Sequence, residues 1–244
     1  MSGMLAIYYR EILILRKRFF RQLASMSVSP LLYLVAFGLG MGRDIRVGGH
    51  SYLEFLIPGL VAMSSMVQAF AIASEINIAR FYWHIFEEIQ AAPIRNIAYV
   101  TGEVLAGMTR ALFSTAIILL IAFFSGITLS YNFYFWLAVA LNSFVFASLA
   151  VGLAMLVKSH SDQALLSNFF ITPMAFLGGT FFPVDKMPGW AQSILHFLPL
   201  THASRAIRAA AFSEPADPFS FLLLAGLGTI LFVLAFHWVK SAKE

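Results

Sequence analysis

No cysteine occurs among the 244 residues, which excludes a disulfide framework, a thiolate nucleophile and a Cys-ligated metal site. Charge is scarce as well: Asp, Glu, Lys and Arg together make up 11% of the chain. The phosphate-cradling pattern G-x-x-x-x-G-K-[ST] is missing, so a P-loop for ATP is excluded. The six histidines, His50, His84, His160, His196, His202 and His237, form no H-E-x-x-H or other metal spacing on a helix. No Ser-His-Asp or paired-carboxylate set follows from spacing either, so neither a catalytic nor a metal site is assigned. What is abundant is apolar. Hydrophobic residues make up 60% of the chain and the mean hydropathy is +0.81. A soluble domain cannot hide that much apolar surface, so lipid must act as the solvent. The net charge of +4 is therefore read by position, and nucleic acid is not expected as a partner. The basic start lacks a compact signal-peptide pattern, and the first apolar stretch is expected to be retained.

A membrane-spanning helix needs about 20 mostly apolar residues. Charge-free windows of this kind lie at Leu23–Gly42, Phe55–Ser74, Ala111–Ser130, Asn132–Val157, Gln163–Val184 and Phe219–Val239. The third extends back toward Thr101, which places Glu103 and Arg110 inside it. The third and fourth are joined so closely, at Ser130–Asn132, that a tight hairpin is expected. Lys and Arg near the ends divide eleven against five. Arg10, Arg16, Lys17, Arg18, Arg21, Arg80, Arg95, Arg110, Lys158, Lys240 and Lys243 face Arg43, Arg46, Lys186, Arg205 and Arg208. The basic excess marks the cytoplasmic side, so six spans with both termini cytoplasmic are expected.

Residues 1–22 place Leu5, Tyr8, Ile12, Leu15 and Phe19 at steps of three and four against Arg10, Lys17 and Arg21. That is the pattern of an interfacial amphipathic helix with its basic face toward anionic headgroups. A simple orientation signal is the alternative. Between the second and third spans lie 29 residues, Glu75–Glu103. A loop of that length without a domain of its own is usually functional. Residues 80–95 contain Phe81, Trp83, Ile85, Phe86 and Ile89 around Glu87 and Glu88, with Pro93 ending the run. A short cytoplasmic helix with aromatic anchors fits, as does an ordinary interface loop. Glu75, Glu103 and Arg110 sit near the inner ends of these spans. Arg110 would lie about 13 Å inside a helix starting near Thr101, where an Arg costs ~2.5–3.5 kcal/mol. Glu75, Glu103 or an anionic headgroup could pair with it, or it could snorkel to the interface.

The stretch 185–212 falls outside the membrane by this topology, yet Trp190, Ile194, Leu195, Phe197 and Leu198 are too apolar for a free loop. Gly189–Leu198 and Thr201–Phe212 are separated by Pro199, and each is too short to cross about 30 Å of hydrocarbon. Two short re-entrant helices dipping in from the outer side satisfy both constraints. Pro188 would set the first helix start, with Asp185 and Lys186 kept wet.

Three quoted stretches carry a resemblance. "ITPMAFLGGTFFPVDKMPGWAQSILHFLPLTHASRAIR" resembles the C-terminal signature of the type-2 ABC exporter permeases: Phe-Pro with Pro183, acidic Asp185, Pro188-Gly189, Leu-Pro-Leu-Thr-His around Pro199, and a later Arg. "SYLEFLIPGLVAMSSM" and "EEIQAAPIRNIAYVTGE" resemble the branch that includes nodulation lipo-oligosaccharide and daunorubicin-type drug exporters. The resemblance spans about residues 20 to 210.

It implies an all-α membrane protein forming one permease domain over residues 1–244, with six spans, an N-terminal interfacial helix, a coupling helix and two re-entrant helices. It implies a separate ATPase subunit that holds ATP and Mg and docks on Phe81–Gln90, a second permease copy, and a bacterial inner-membrane location. In such dimers spans one, two and five line the path. Here these spans carry Tyr33, Phe37, Met63, Met66, Gln68, Phe70, Asn168, Phe169, Met174 and Phe176, an adaptable apolar wall for lipid tails or hydrophobic drugs. These residues could equally face lipid. His202 and Arg205 would share a helix face and, with Arg208, meet a polar headgroup; capping or lipid contact is the alternative. The function implied is ATP-driven export of an amphipathic substrate: a lipid-linked saccharide, a lipid or a hydrophobic drug. An ion-coupled secondary transporter would need an intramembrane acidic relay and repeats. A membrane-embedded lipid enzyme would need a catalytic set. The last three windows contain no Asp, Glu, Lys or Arg, and no such set stands out.

Overall fold

The computed structural model describes residues 3–40 and 45–242. Arg43 and Lys243 of the charge tally, and residues 41–42 of the first window, lie outside them. The amphipathic start forms α1 (Gly3–Lys17), bends at Arg18, and continues as α2 (Phe19–Tyr33) into a π-helical turn over Leu34–Leu39. A two-residue hairpin, Arg46–Val47 against His50–Ser51, then leads to α3 (Tyr52–Phe70) and α4 (Ile72–Phe81). After α5 (Ile85–Ala91) come α6 (Asn96–Phe124) and α7 (Phe133–Leu156). Next are α8 (His160–Leu166), a π-helical turn Ser167–Ile171, and α9 (Thr172–Leu177). The chain closes with α10 (Gly189–Leu195), α11 (Pro199–Ala211) and α12 (Pro218–Ser241).

Among the described residues, four helical stretches are long and apolar enough to cross a membrane: Tyr52–Phe81, Asn96–Phe124, Phe133–Leu156 and Pro218–Ser241. The first and fifth windows are also helical, but interrupted. Pro30 lies inside α2 and Pro173 in the first turn of α9. Proline removes an N–H donor and crowds the carbonyl four residues earlier, and a widened turn nearby relieves that conflict.

Boundaries differ from the sequence expectation where capping or side-chain reach decides them. The helix through the first window starts at Phe19, before Leu23, because Arg21 can carry its charge out on a long stem. The third starts at Asn96, earlier than Thr101. Asn132 caps α7, its Oδ1 accepting from the Phe135 N–H at 3.0 Å, so it belongs to the connection. The expected tight hairpin is therefore a longer link, turned by Gly126 at φ 74° and tied down where the Ser130 N–H donates to the Ala211 carbonyl at 2.9 Å.

The α3 helix forms the centre, packed against α6, α7 and α11. Close approach depends on small residues: Gly107 of α6 lies between Ala147 and the Ala69 carbonyl, and Gly59 of α3 lies under the Thr180 backbone. Buried polar pairs tie α3 to α6 and α7, and α4 to α8. Ser114 bonds Ser64 at 3.2 Å, Asn142 donates to the Ala62 carbonyl at 3.0 Å, and Asn77 donates to Gln163 at 3.2 Å. A β-carbon on Gly59 would run into the Thr180 carbonyl oxygen. Gly59→Ala should thus lower stability by about 1–3 kcal/mol, read as an earlier thermal transition in detergent; an unchanged transition would contradict this packing.

The bundle has two distinct ends. Gly3 abuts Ile94, and the Gln90 side chain donates to the Ala242 carbonyl at 3.4 Å, so residues near both extremes of the described chain meet α5 at one end. Arg10, Arg18, Arg80, Arg95 and Lys240 gather there. The hairpin, the α6–α7 link and α10–α11 occupy the opposite end, where the Tyr52 hydroxyl donates to the Phe181 carbonyl at 2.9 Å.

Candidate transport cavity and coupling surface

A cavity of about 310 Å³ opens between α2, α3 and α9. These are the helices of the first, second and fifth windows. Of the residues assigned to these spans, Tyr33, Met63, Gln68, Phe70 and Phe176 line it. Other assigned residues lie elsewhere. Met66 is fully buried in the α3 core, Met174 is packed against the core, and Phe169 faces outward at 73% exposure. Phe37 stands beyond the cavity in an aromatic cluster. Its ring lies 4.9 Å from Phe181, which is also 5.0 Å from Tyr33 and 5.4 Å from Phe176. That cluster meets the cavity through Tyr33 and Phe176, on the side toward the α10–α11 end.

The wall is less apolar than Met and Phe alone suggested. Ser25, Ser29, Ser64, Ser74, Ser167 and Thr172 also line it. Toward α1 it continues into a second space of about 210 Å³, bounded by Arg18, Arg21, Gln22 and Arg110 and sharing Ser25, Met26 and Gln68 with the first. The sequence held a signal for this. Arg18, Gln22, Ser25 and Ser29 recur at steps of three and four, a polar stripe down an otherwise apolar helix.

The charge cluster resolves into two groups. Arg110 pairs with Glu75 at 3.4 Å and not with Glu103. Arg18 approaches the other Glu75 oxygen at 3.7 Å. Glu103, fully buried, instead faces Arg10 at 3.5 Å, and Arg10 also holds Glu11 at 2.6 Å. The amphipathic helix thus docks on α6 through Ile7 and Glu11, while Leu5 stays exposed. Arg10 and Arg18 are legible in the sequence only as basic positions; their partners Glu103 and Glu75 lie more than fifty residues away.

The α5 helix stands out from the bundle on one side and is fixed to it on the other. Phe86 is buried, its ring 5.6 Å from Tyr99 of α6 and 5.4 Å from the Arg80 guanidinium. Arg80 also bonds the Ala154 carbonyl of α7. Phe81 and Ile85 are half-buried, whereas Tyr82, Trp83, Glu87 and Glu88 are exposed. Phe86 therefore anchors α5 internally, and the surface it presents is Tyr82, Trp83, Glu87 and Glu88. His84 turns the chain into α5 at φ 53°.

At the opposite end, Pro183 precedes a short turn carrying Asp185 and Lys186; Pro188 precedes α10, Gly189 begins it, and Pro199 begins α11. Trp190 and Ile194 of α10, and Phe197 just after it, are 72%, 58% and 88% exposed. Arg205 pairs with Asp185 at 3.0 Å. Arg208 turns inward, 3.8 Å from the Phe55 ring centroid and donating to the Gly179 carbonyl at 2.9 Å; burial pushes its pKa down to about 10. The expected shared face of His202 and Arg205 is not formed. His202 is buried against α12, its Nε2 2.9 Å from the His196 carbonyl and Nδ1 3.4 Å from Ser220. An offset of three residues leaves the two side chains about 60° apart around the helix, enough here to send one inward and one to solvent.

The described residues hold no group of three or more His, Asp or Glu able to bind a metal. Comparison with known proteins places the chain. Nodulation protein J of Sinorhizobium fredii is 30% identical over 214 residues, 86% of this chain and 82% of that protein. Nodulation protein J of Neorhizobium galegae is 32% identical over 225 residues, covering 88% and 84%. Inner membrane transport permease YadH of Escherichia coli K12 is 28% identical over 242 residues, covering 96% and 91%. The ABC-2 type transporter pattern matches residues 3–212. With that match across the helices that build the cavity, the chain belongs to the ABC-2 type transporter family, as a membrane subunit.

Proposed function

We propose that this chain is the transmembrane subunit of an ATP-driven exporter that moves an amphipathic substrate out of the cytoplasm or inner leaflet. The observation that carries this reading is the cavity between α2, α3 and α9, with aromatic rings packed toward the α10–α11 end and a second, basic space sharing Ser25, Met26 and Gln68 with it. The six helical stretches, taken as spans, form one permease domain with both chain ends on the cytoplasmic side, consistent with the cluster of Arg and Lys there. The relative named as an inner membrane permease supports the bacterial inner membrane as the location.

ATP and Mg belong to a separate ATPase subunit that docks on Tyr82, Trp83, Glu87 and Glu88. A push on α5 reaches α6 through Phe86 and Tyr99, and α4 and α7 through Arg80. From α4, Glu75 approaches Arg18 at the bend before α2 and Arg110 of α6. These contacts form a rigid path from the docking surface to the cavity walls. To drive transport, the ATPase must contact the inward-open and outward-open arrangements differently. Two copies of the chain complete the path. The exposed Trp190 and Ile194 of α10, and Phe197 just after it, suit contact with membrane lipid.

The test is ATPase activity of the chain co-purified with its genomic-neighbour ATPase and reconstituted in lipid vesicles. Hydrolysis that rises when the permease is present supports the reading. No stable complex, with hydrolysis indifferent to the permease, would overturn it.

A further inference from the structure

We propose that the basic mouth of the cavity holds the phosphate of an anionic amphiphile whose hydrocarbon tail lies along α2 toward the aromatic cluster. Three cations, Arg18, Arg21 and Arg110, bound the mouth. A single carboxylate, Glu75, answers them, pairing with Arg110 and approaching Arg18. Glu11 and Glu103 lie on the α1 side and are engaged by Arg10. Arg21 makes no ion pair among the described residues.

The mouth also has buried polar atoms without hydrogen-bond partners among the described residues: one donor, Arg110 Nε, and two acceptors, Gln22 Oε1 and Glu75 Oε2. Arg110 is 9% exposed, and its Nε is buried without a hydrogen-bond partner among the described residues. A buried guanidinium edge left unsatisfied is costly, and a phosphate oxygen is the acceptor its planar fork fits best. Serine hydroxyls at 25 and 29 line the next two turns of α2, so the polarity declines gradually away from the arginines. Beyond them lie Tyr33 and Phe176, an apolar end of the right character for a tail. Charge at one end and aromatic rings at the other give the cavity the polarity of an amphiphile with its headgroup at the cytoplasmic-side interface.

This deepens the exporter reading, on which it rests for the fate of the bound molecule. It is tested by binding of a fluorescent-tailed lysophosphatidate to the full permease–ATPase complex in neutral detergent. Lysophosphatidylcholine with the same tail and inorganic phosphate serve as comparisons. The lysophosphatidate should bind about tenfold more tightly than its choline ester, whose phosphate charge is masked. Inorganic phosphate should compete only weakly. Arg21→Gln, an exposed position, should erase most of that preference with an unchanged thermal transition. Ser29→Phe should weaken the tailed probe while leaving phosphate competition as it was.

Equal affinity for the two lysolipids, or an Arg21→Gln variant that keeps the preference, would overturn the proposal. Inorganic phosphate binding as tightly as the tailed probe would also overturn it, since the site would then be one for a free anion. Trapping the complex with ATP and vanadate distinguishes two sources of the same chemistry: a probe released is cargo, and a probe retained is a resident lipid. If no ATPase associates, the exporter reading fails, but the lysolipid preference measured on the permease alone still decides this site.

Discussion

Glu75→Gln should lower stability by about 3–5 kcal/mol, the cost of leaving buried charge without its partner. The reason is its central position. Glu75 is 8% exposed on α4 and is the carboxylate partner of Arg110 on α6, with Arg18 at the bend before α2 also within reach. Removing its charge leaves the Arg18 and Arg110 guanidinium groups without the carboxylate they share. Arg110→Gln should be milder, because Glu75 then retains Arg18. The double change Glu75→Gln with Arg110→Gln should recover much of the loss, as expected for neighbours that share one interaction. Thermal unfolding in neutral, delipidated detergent measures this. Anionic lipid must be absent, since a phosphate in the mouth would replace the missing carboxylate. Equal losses for the two single changes, with no recovery in the double, would contradict the pairing.

The second large effect separates coupling from folding on α5. Glu87→Ala with Glu88→Ala removes two exposed carboxylates and should leave stability within about 0.5 kcal/mol of the parent. Association with the ATPase should weaken by about 2 kcal/mol, a loss near thirtyfold, with transport falling accordingly. Phe86→Ala should do the reverse. It removes a buried ring packed on Tyr99 and Arg80 and should cost about 3 kcal/mol of stability. Melting temperature and ATPase pull-down, measured side by side on the two variants, should therefore change in opposite patterns. If the Glu87/Glu88 variant binds the ATPase as the parent does, the docking surface lies elsewhere.

Much of this organisation is legible in the amino-acid order because membrane helices are set by length and apolarity. The α10–α11 pair follows from two short apolar stretches divided by Pro199, and the α5 helix from aromatic residues bounded by Pro93. The interruptions at Leu34–Leu39 and Ser167–Ile171 were not legible, since a proline in an apolar run signals strain without fixing how the helix relieves it. Ion-pair partners were less accessible still. Arg110 offered two carboxylates at equal sequence plausibility, and the packing of α4 against α6 selects Glu75. The choice between His202 and Arg205 as an outward residue likewise turns on how α11 is rotated against α12, which no local pattern encodes. In the sequence Arg18 reads as a charge of the cytoplasmic side, Arg21 as part of the basic face of an interfacial helix and Arg110 as a cation in need of a carboxylate or headgroup; their convergence appears only when α2 is set beside α6.

The most direct test of the whole account uses the absence of native cysteine. A single Cys placed by Glu88→Cys, with a single Cys on the surface of the candidate ATPase, can be oxidised or joined by a short bifunctional maleimide in inverted membrane vesicles. The account predicts a crosslinked permease–ATPase product whose yield changes between nucleotide-free and ATP–vanadate states. Efficient labelling of Glu88→Cys only from the opposite side of the membrane, or no crosslink while the ATPase remains active, would contradict it.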